Sequence, residues 1–90
     1  MTGVAERFAV RVMVTDVWDQ VFLAVEPGTT VAELKRRALE QALKRQAPAE
    51  EYVVKFRGAA VLDESTTLET LGAVPNAPFI ILPLRRQPVR

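Results

Sequence analysis

The stretch VFLAVEPGTTVAELK, residues 21–35, contains two periodicities and the punctuation that separates them. Val21, Leu23 and Val25 alternate with Phe22 and Ala24, the period of two that lays one face of a strand on a core. Glu26-Pro27-Gly28 ends that run, because Pro27 has no N–H to give to a ladder and Gly28 relieves the turn. Thr30 followed by Glu33 has the spacing of a capping box: the hydroxyl accepts from the backbone N–H three residues on, and the carboxylate reaches back to the Thr30 N–H. From Val31 the spacing becomes helical. Val31, Leu34, Ala38 and Ala42 form one stripe, with Leu39 and Leu43 beside it, so the sequence predicts a helix over residues 31–46. Glu33–Arg37 and Glu40–Lys44 are favourable i,i+4 pairs on its wet side, and Pro48 closes the segment.

Alternation continues on both sides of this stretch. Upstream, Phe8, Val10, Val12 and Val14 alternate with Ala9, Arg11 and Met13, and the polar break TDVWDQ makes a β-hairpin of the first two strands. Downstream, Tyr52, Val54 and Phe56 alternate with Val53, Lys55 and Arg57 in a third strand that breaks at Gly58. Residues 59–62 predict a short fourth strand, weakened by its alanines. Residues 63–66 form an acidic turn, and residues 67–72 form a single helical turn closed by glycine. After the turn at Pro75-Asn76, the last strand covers residues 79–82 between Pro78 and Pro83. The order is ββαββ, a short turn helix and a final strand. One long amphipathic helix covers one face of a mixed sheet of four or five strands, an α+β arrangement of the β-grasp kind; another α+β sandwich with the same element order is the alternative.

Ninety residues make one domain with a thin core, for which 49% hydrophobic residues suffice. No apolar run is long enough to cross a bilayer. The early acidic residue and short apolar stretches of MTGVAERFAV do not read as a signal peptide, and with no cysteine the expected location is the cytoplasm. A net charge of +1 argues against bulk attraction to nucleic acid or membrane; a basic nucleic-acid accessory is the weaker reading. Histidine and cysteine are absent and Ser65 is the lone serine, with no base to activate it, so neither catalysis nor a cofactor is expected. Asp16, Asp19, Asp63 and Glu64 lack the dense spacing of a calcium loop and read as turn chemistry. Lys35, Arg36, Arg37, Lys44 and Arg45 are diluted by glutamates and read as a solvated helix face.

The pieces also resemble a known family. VFLAVEPGTTVAELK is similar to the second strand, Glu-Pro turn and helix start of ubiquitin. YVVKFRGAAVLDESTTLETLGA resembles its third strand, Phe-x-Gly turn, acidic turn and Thr-Leu turn helix. FIILPLRR resembles its last strand and arginine-bearing tail. The resemblance covers residues 8–86. It implies the sheet order second, first, fifth, third strand, with the first and last parallel in the centre. It also implies one core holding Val10, Val12, Val14, Leu23, Leu34, Val54, Phe56, Leu62, Leu68, Phe79 and Ile81. The expected organisation is a flexible lead-in over 1–7, a ubiquitin-like domain over 8–84 and a basic tail over 85–90.

Conjugating members of that family, and the related sulfur carriers, react through a C-terminal Gly-Gly. This sequence has Gln87-Pro88-Val89-Arg90 there, and no glycine follows Gly72. A covalent modifier or sulfur carrier is therefore the disfavoured alternative. The tail arginines Arg85, Arg86 and Arg90 read either as solvated charge or as a strip for an acidic groove. The family works by presenting sheet-face patches to protein partners. Carried over by position, the patch is Val53, Lys55 and Arg57 with Ile80 and Leu82, and Trp18 or Val17 at the hairpin tip. Lys55 stands where the family has its central isoleucine, which puts recognition by ordinary ubiquitin receptors in doubt. Trp18 is either a contact anchor or folds back on Met13 or Phe22. Arg11, Met13, Phe22 and Ala24 would add a second outward patch, making the outer face apolar enough for self-association. The expected function is a non-catalytic interaction module, similar to the small bacterial ubiquitin-like proteins without diglycine that serve as accessory components of secretion systems or multicomponent enzymes.

Overall fold

A computed structural model of the chain describes residues 7–44 and 48–83. The expectations for a flexible lead-in, for Arg45 and for the tail arginines Arg85, Arg86 and Arg90 fall on positions outside these described residues.

Strand β1 (Phe8–Val14) pairs antiparallel with β2 (Asp19–Val25), with Val10 opposite Leu23 and Val12 opposite Val21. Helix α1 (Val31–Leu43) follows, then a single 3₁₀ turn (Ala49–Glu51), β3 (Tyr52–Phe56), a two-residue β4 (Ala59–Ala60), the short helix α2 (Leu68–Leu71) and β5 (Pro78–Pro83). The sheet order is β2-β1-β5-β3-β4, with β1 and β5 parallel in the centre. This is an α+β β-grasp with a mixed five-stranded sheet. The 3₁₀ turn carries no apolar periodicity and has no counterpart in the sequence reading.

Each boundary has a local cause. The Thr30 hydroxyl accepts from the Glu33 N–H at 3.2 Å and caps α1. The Glu33 carboxylate does not close the reciprocal half of the box. It takes Arg36 at 2.7 Å and Arg37 at 3.1 Å, because both guanidiniums lie one turn along the same face. The hydrogen bond from Arg36 holds the Glu33 carboxyl below its ordinary range. Glu40 likewise meets Arg36, at 3.8 Å. Lys44 caps the C-terminus in the left-handed conformation with its N–H on the Glu40 carbonyl, so α1 stops at Leu43. Thr67 caps α2, and Gly72 ends it at φ 84°. Between β3 and β4 the two turn residues, Arg57 and Gly58, both have positive φ, the signature of a tight type I′ hairpin.

The core lies between the sheet and α1. Val10, Val12, Val14, Val54, Ile81 and Leu34 are wholly shielded, and Phe79 stacks on Phe56 with centroids 4.8 Å apart. Two expectations fail. Leu62 is 88% exposed. Strand β4 ends after two residues, and it is Val61 that turns inward, its N–H on the Val54 carbonyl at 2.8 Å. Lys35 is the other: only 3% exposed, it is part of the core wall and not of the wet face. Its ammonium bonds the Glu64 carboxylate at 2.6 Å and the Tyr52 carbonyl at 2.9 Å, so the buried charge is paired and hydrogen-bonded, as burial demands.

Candidate functional site

Strand alternation divides the sheet residues between its two faces. The residues that do not face α1 are Ala9, Arg11 and Met13 on β1; Gln20, Phe22 and Ala24 on β2; Val53 and Lys55 on β3; and Pro78, Ile80 and Leu82 on β5. Register brings the central ones into rows. Met13 pairs with Ile80 and Ile80 with Lys55, so one row crosses three strands, with Gln20 continuing it on β2. Val53 pairs with Leu82 in the neighbouring row. Ile80 is 44% exposed and Phe22 57%. The charges among these outward positions, Arg11 and Lys55, are both positive. The face is therefore apolar and basic, with no carboxylate set among its strand positions.

Of the residues expected in the patch, Val53, Lys55, Ile80 and Leu82 come together on this face. Arg57 does not continue the row. It sits in the β3–β4 turn at φ 56°, with its guanidinium 4.9 Å from the centre of the Phe56 ring, which faces the core. Trp18 lies in the four-residue loop between β1 and β2 and is 78% exposed, so it does not fold back on Met13 or Phe22. Its backbone is held at φ 50°, and its N–H donates to the Thr15 carbonyl at 3.2 Å. Left-handed backbone suits glycine or asparagine; a tryptophan there carries a steric cost of about 1–2 kcal/mol. Neither local conformation nor packing accounts for an indole at this position.

The acids singled out in the sequence stand apart. Asp63 accepts from the Ser65 N–H at 3.1 Å and from its hydroxyl at 2.6 Å, and the bond from the Ser65 hydroxyl holds its carboxyl below the ordinary range. Asp16 accepts from the Tyr52 hydroxyl at 2.5 Å, and Glu64 pairs with Lys35. Among the described residues no group of three or more acids converges where a cation would sit. No described helix is long and apolar enough to cross a membrane. Sequence reasoning missed Tyr52 and Lys35 as polar nodes. Lys35 had a signal: it occupies the i+4 position from Val31, on the stripe that includes Leu34 and Ala38. Tyr52 had none, since its hydroxyl partner is 36 residues away in the chain.

Comparison with known proteins places the fold. No family model matches the sequence, and neither does any curated protein. Solved structures do match in shape. The ubiquitin of Caldiarchaeum subterraneum aligns with TM-score 0.75 and 18% identity over 87% of this chain and 94% of that one. The ubiquitin-like domain of an Arabidopsis thaliana protein aligns with TM-score 0.76 and 15% identity over 99% and 89%. A designed protein based on ubiquitin aligns with TM-score 0.71 and 23% identity over 83% and 85%.

Proposed function

With a ubiquitin-like fold as the premise, we propose that this chain is a non-catalytic protein-interaction module that binds through the outer face of its sheet. The observation that supports this most is the basic, apolar row Met13–Ile80–Lys55 with an exposed Trp18 at its hairpin tip. Contiguous exposed apolar area marks contact, and Trp is among the residues enriched where binding energy concentrates. Arg11 and Lys55 set the partner's complement: an apolar surface ringed by carboxylates, drawn in by charge and held by Ile80, Leu82 and Val53. Positive charge on both halves of the face works against pairing of two copies through it. The residue inventory supports the absence of catalysis, since no histidine or cysteine is available. A domain with one contact face and no chemistry of its own fits a small accessory component of a cytoplasmic multiprotein system, of the kind bacteria use in secretion or multicomponent enzymes.

Affinity capture from host lysate with wild type and with the Ile80→Glu/Leu82→Glu variant tests this. The wild type retains a specific partner and the variant loses it by more than about 30-fold, the scale of an anchor residue. Partners kept equally by both, with the variant folded by circular dichroism, would remove the sheet face from the model.

A further inference from the structure

Tyr52 links three parts of the molecule that are remote in sequence. It opens β3, and its side chain is buried on the helix side of the sheet. Its carbonyl accepts the Lys35 ammonium, which in turn holds Glu64 ahead of α2. Its hydroxyl donates to the Asp16 carboxylate at 2.5 Å. Asp16 sits in the loop that carries Trp18. The rest of that loop has little to hold it. Thr15 is pinned to the sheet by its N–H on the Ile81 carbonyl at 3.0 Å, but beyond it, among the described residues, the backbone is held by the 3.3 Å bond from Val17 to Val14 and the 3.2 Å bond from Trp18 to Thr15. Both are long, and Val17 and Trp18 are exposed. The Tyr52–Asp16 bond is the short one: charge-assisted, and anchored at one end in the core.

We infer that Tyr52 is a positioning residue for Trp18: its hydroxyl, through Asp16, holds the hairpin tip in the strained left-handed turn that presents the indole. This deepens the reading of the outer face as a contact surface and rests on it for its purpose, though not for its geometry. A tyrosine on the far side of the sheet thereby sets the shape of the contact tip without touching a partner. Linkage makes the coupling reciprocal, so a partner that grips Trp18 also steadies the Tyr52–Lys35–Glu64 chain.

Residue-resolved amide exchange on the free protein tests the positioning role with no partner present. Tyr52→Phe keeps the ring and deletes the bond; Asp16→Ala deletes it from the other end. Each lowers protection of the Val17 and Trp18 amides by about tenfold, the low end for a hydrogen bond to a carboxylate. The double variant lowers it no further than either alone, because each removes the same Tyr52–Asp16 bond. Asp16→Asn, which keeps an acceptor, restores part of the protection. In Tyr52→Phe, emission anisotropy of Trp18, the only tryptophan, falls as the indole gains local freedom. Protection that falls equally at Val12 and Leu34 would make the effect a global loss of stability and overturn the inference; additive losses in the double variant would do the same. A failed partner capture would leave this result standing, and failure here would leave the contact face standing.

Discussion

Ile80 and Ile81 are the same residue at adjacent positions of one strand. Ile81 is wholly buried against α1; Ile80 is 44% exposed on the other side of the sheet. A side-chain period of two is enough to send them to opposite fates. The inner face is closed by a helix whose apolar stripe matches it. The outer face has the same aliphatic character in Met13, Val53, Ile80 and Leu82 but no described element over it, and the charges at its described strand positions are of one sign. Hydrophobicity alone therefore does not separate core from exposed surface in this protein; whether the fold supplies a cover does.

The largest expected break in this comparison comes from truncating each isoleucine. Ile81→Ala lowers unfolding free energy by about 2–5 kcal/mol in a urea titration, through lost burial and a residual cavity. Ile80→Ala stays within about 1 kcal/mol. Equal losses would mean that the outer face is packed. Next comes the polar member of the inner wall. Glu64→Ala costs about 3 kcal/mol, at the low end for a broken buried pair because the Glu64 side chain keeps 28% of its surface in water. Lys35→Met, which removes the charge along with its need for a partner, is closer to neutral by the same titration.

Trp18→Gly sharpens the comparison from the other side. Relief of the left-handed strain raises stability by about 1 kcal/mol while partner capture weakens. A variant that loses stability instead would show the indole to be structural. Leu62→Ser, an apolar residue that the fold leaves outside, changes stability by no more than about 0.5 kcal/mol. The smallest effect lies on the wet side of α1. The Glu33 carboxyl is held below the usual value of 4.5 by Arg36, so its contribution is present above that value and fades as the pH falls through the lowered one. Glu33→Gln removes this acid-side dependence from a plot of thermal midpoint against pH and leaves the neutral region nearly unchanged.

The two faces also differ in how readily the sequence shows them. The inner face could be read along the chain because each strand's alternation and the helix's stripe are local patterns, and the Pro27-Gly28 turn, the Thr30 cap and Gly72 mark their ends. Leu62 was misassigned because the β3–β4 register sets the parity and cannot be read from the alanines: Ala59 pairs with Phe56 on the inner face and Ala60 with Lys55 on the outer, so alternation sends Val61 inward and Leu62 out. Lys35 was misassigned because its charge outweighed its place on the stripe. On the outer face, Val53, Lys55, Ile80 and Leu82 followed from parity, but Arg57 did not, since a turn at positive φ has no parity to follow.

The sequence by itself determined the elements and which side of each is apolar, because periodicity and capping act over a few residues. Tertiary structure alone decided which apolar side receives a cover, that a lysine lies under the sheet with Glu64 as its partner, and that Tyr52 holds Asp16. Those outcomes depend on which distant segments meet, and the energies that settle them, burial and charge pairing, exist only once they have met.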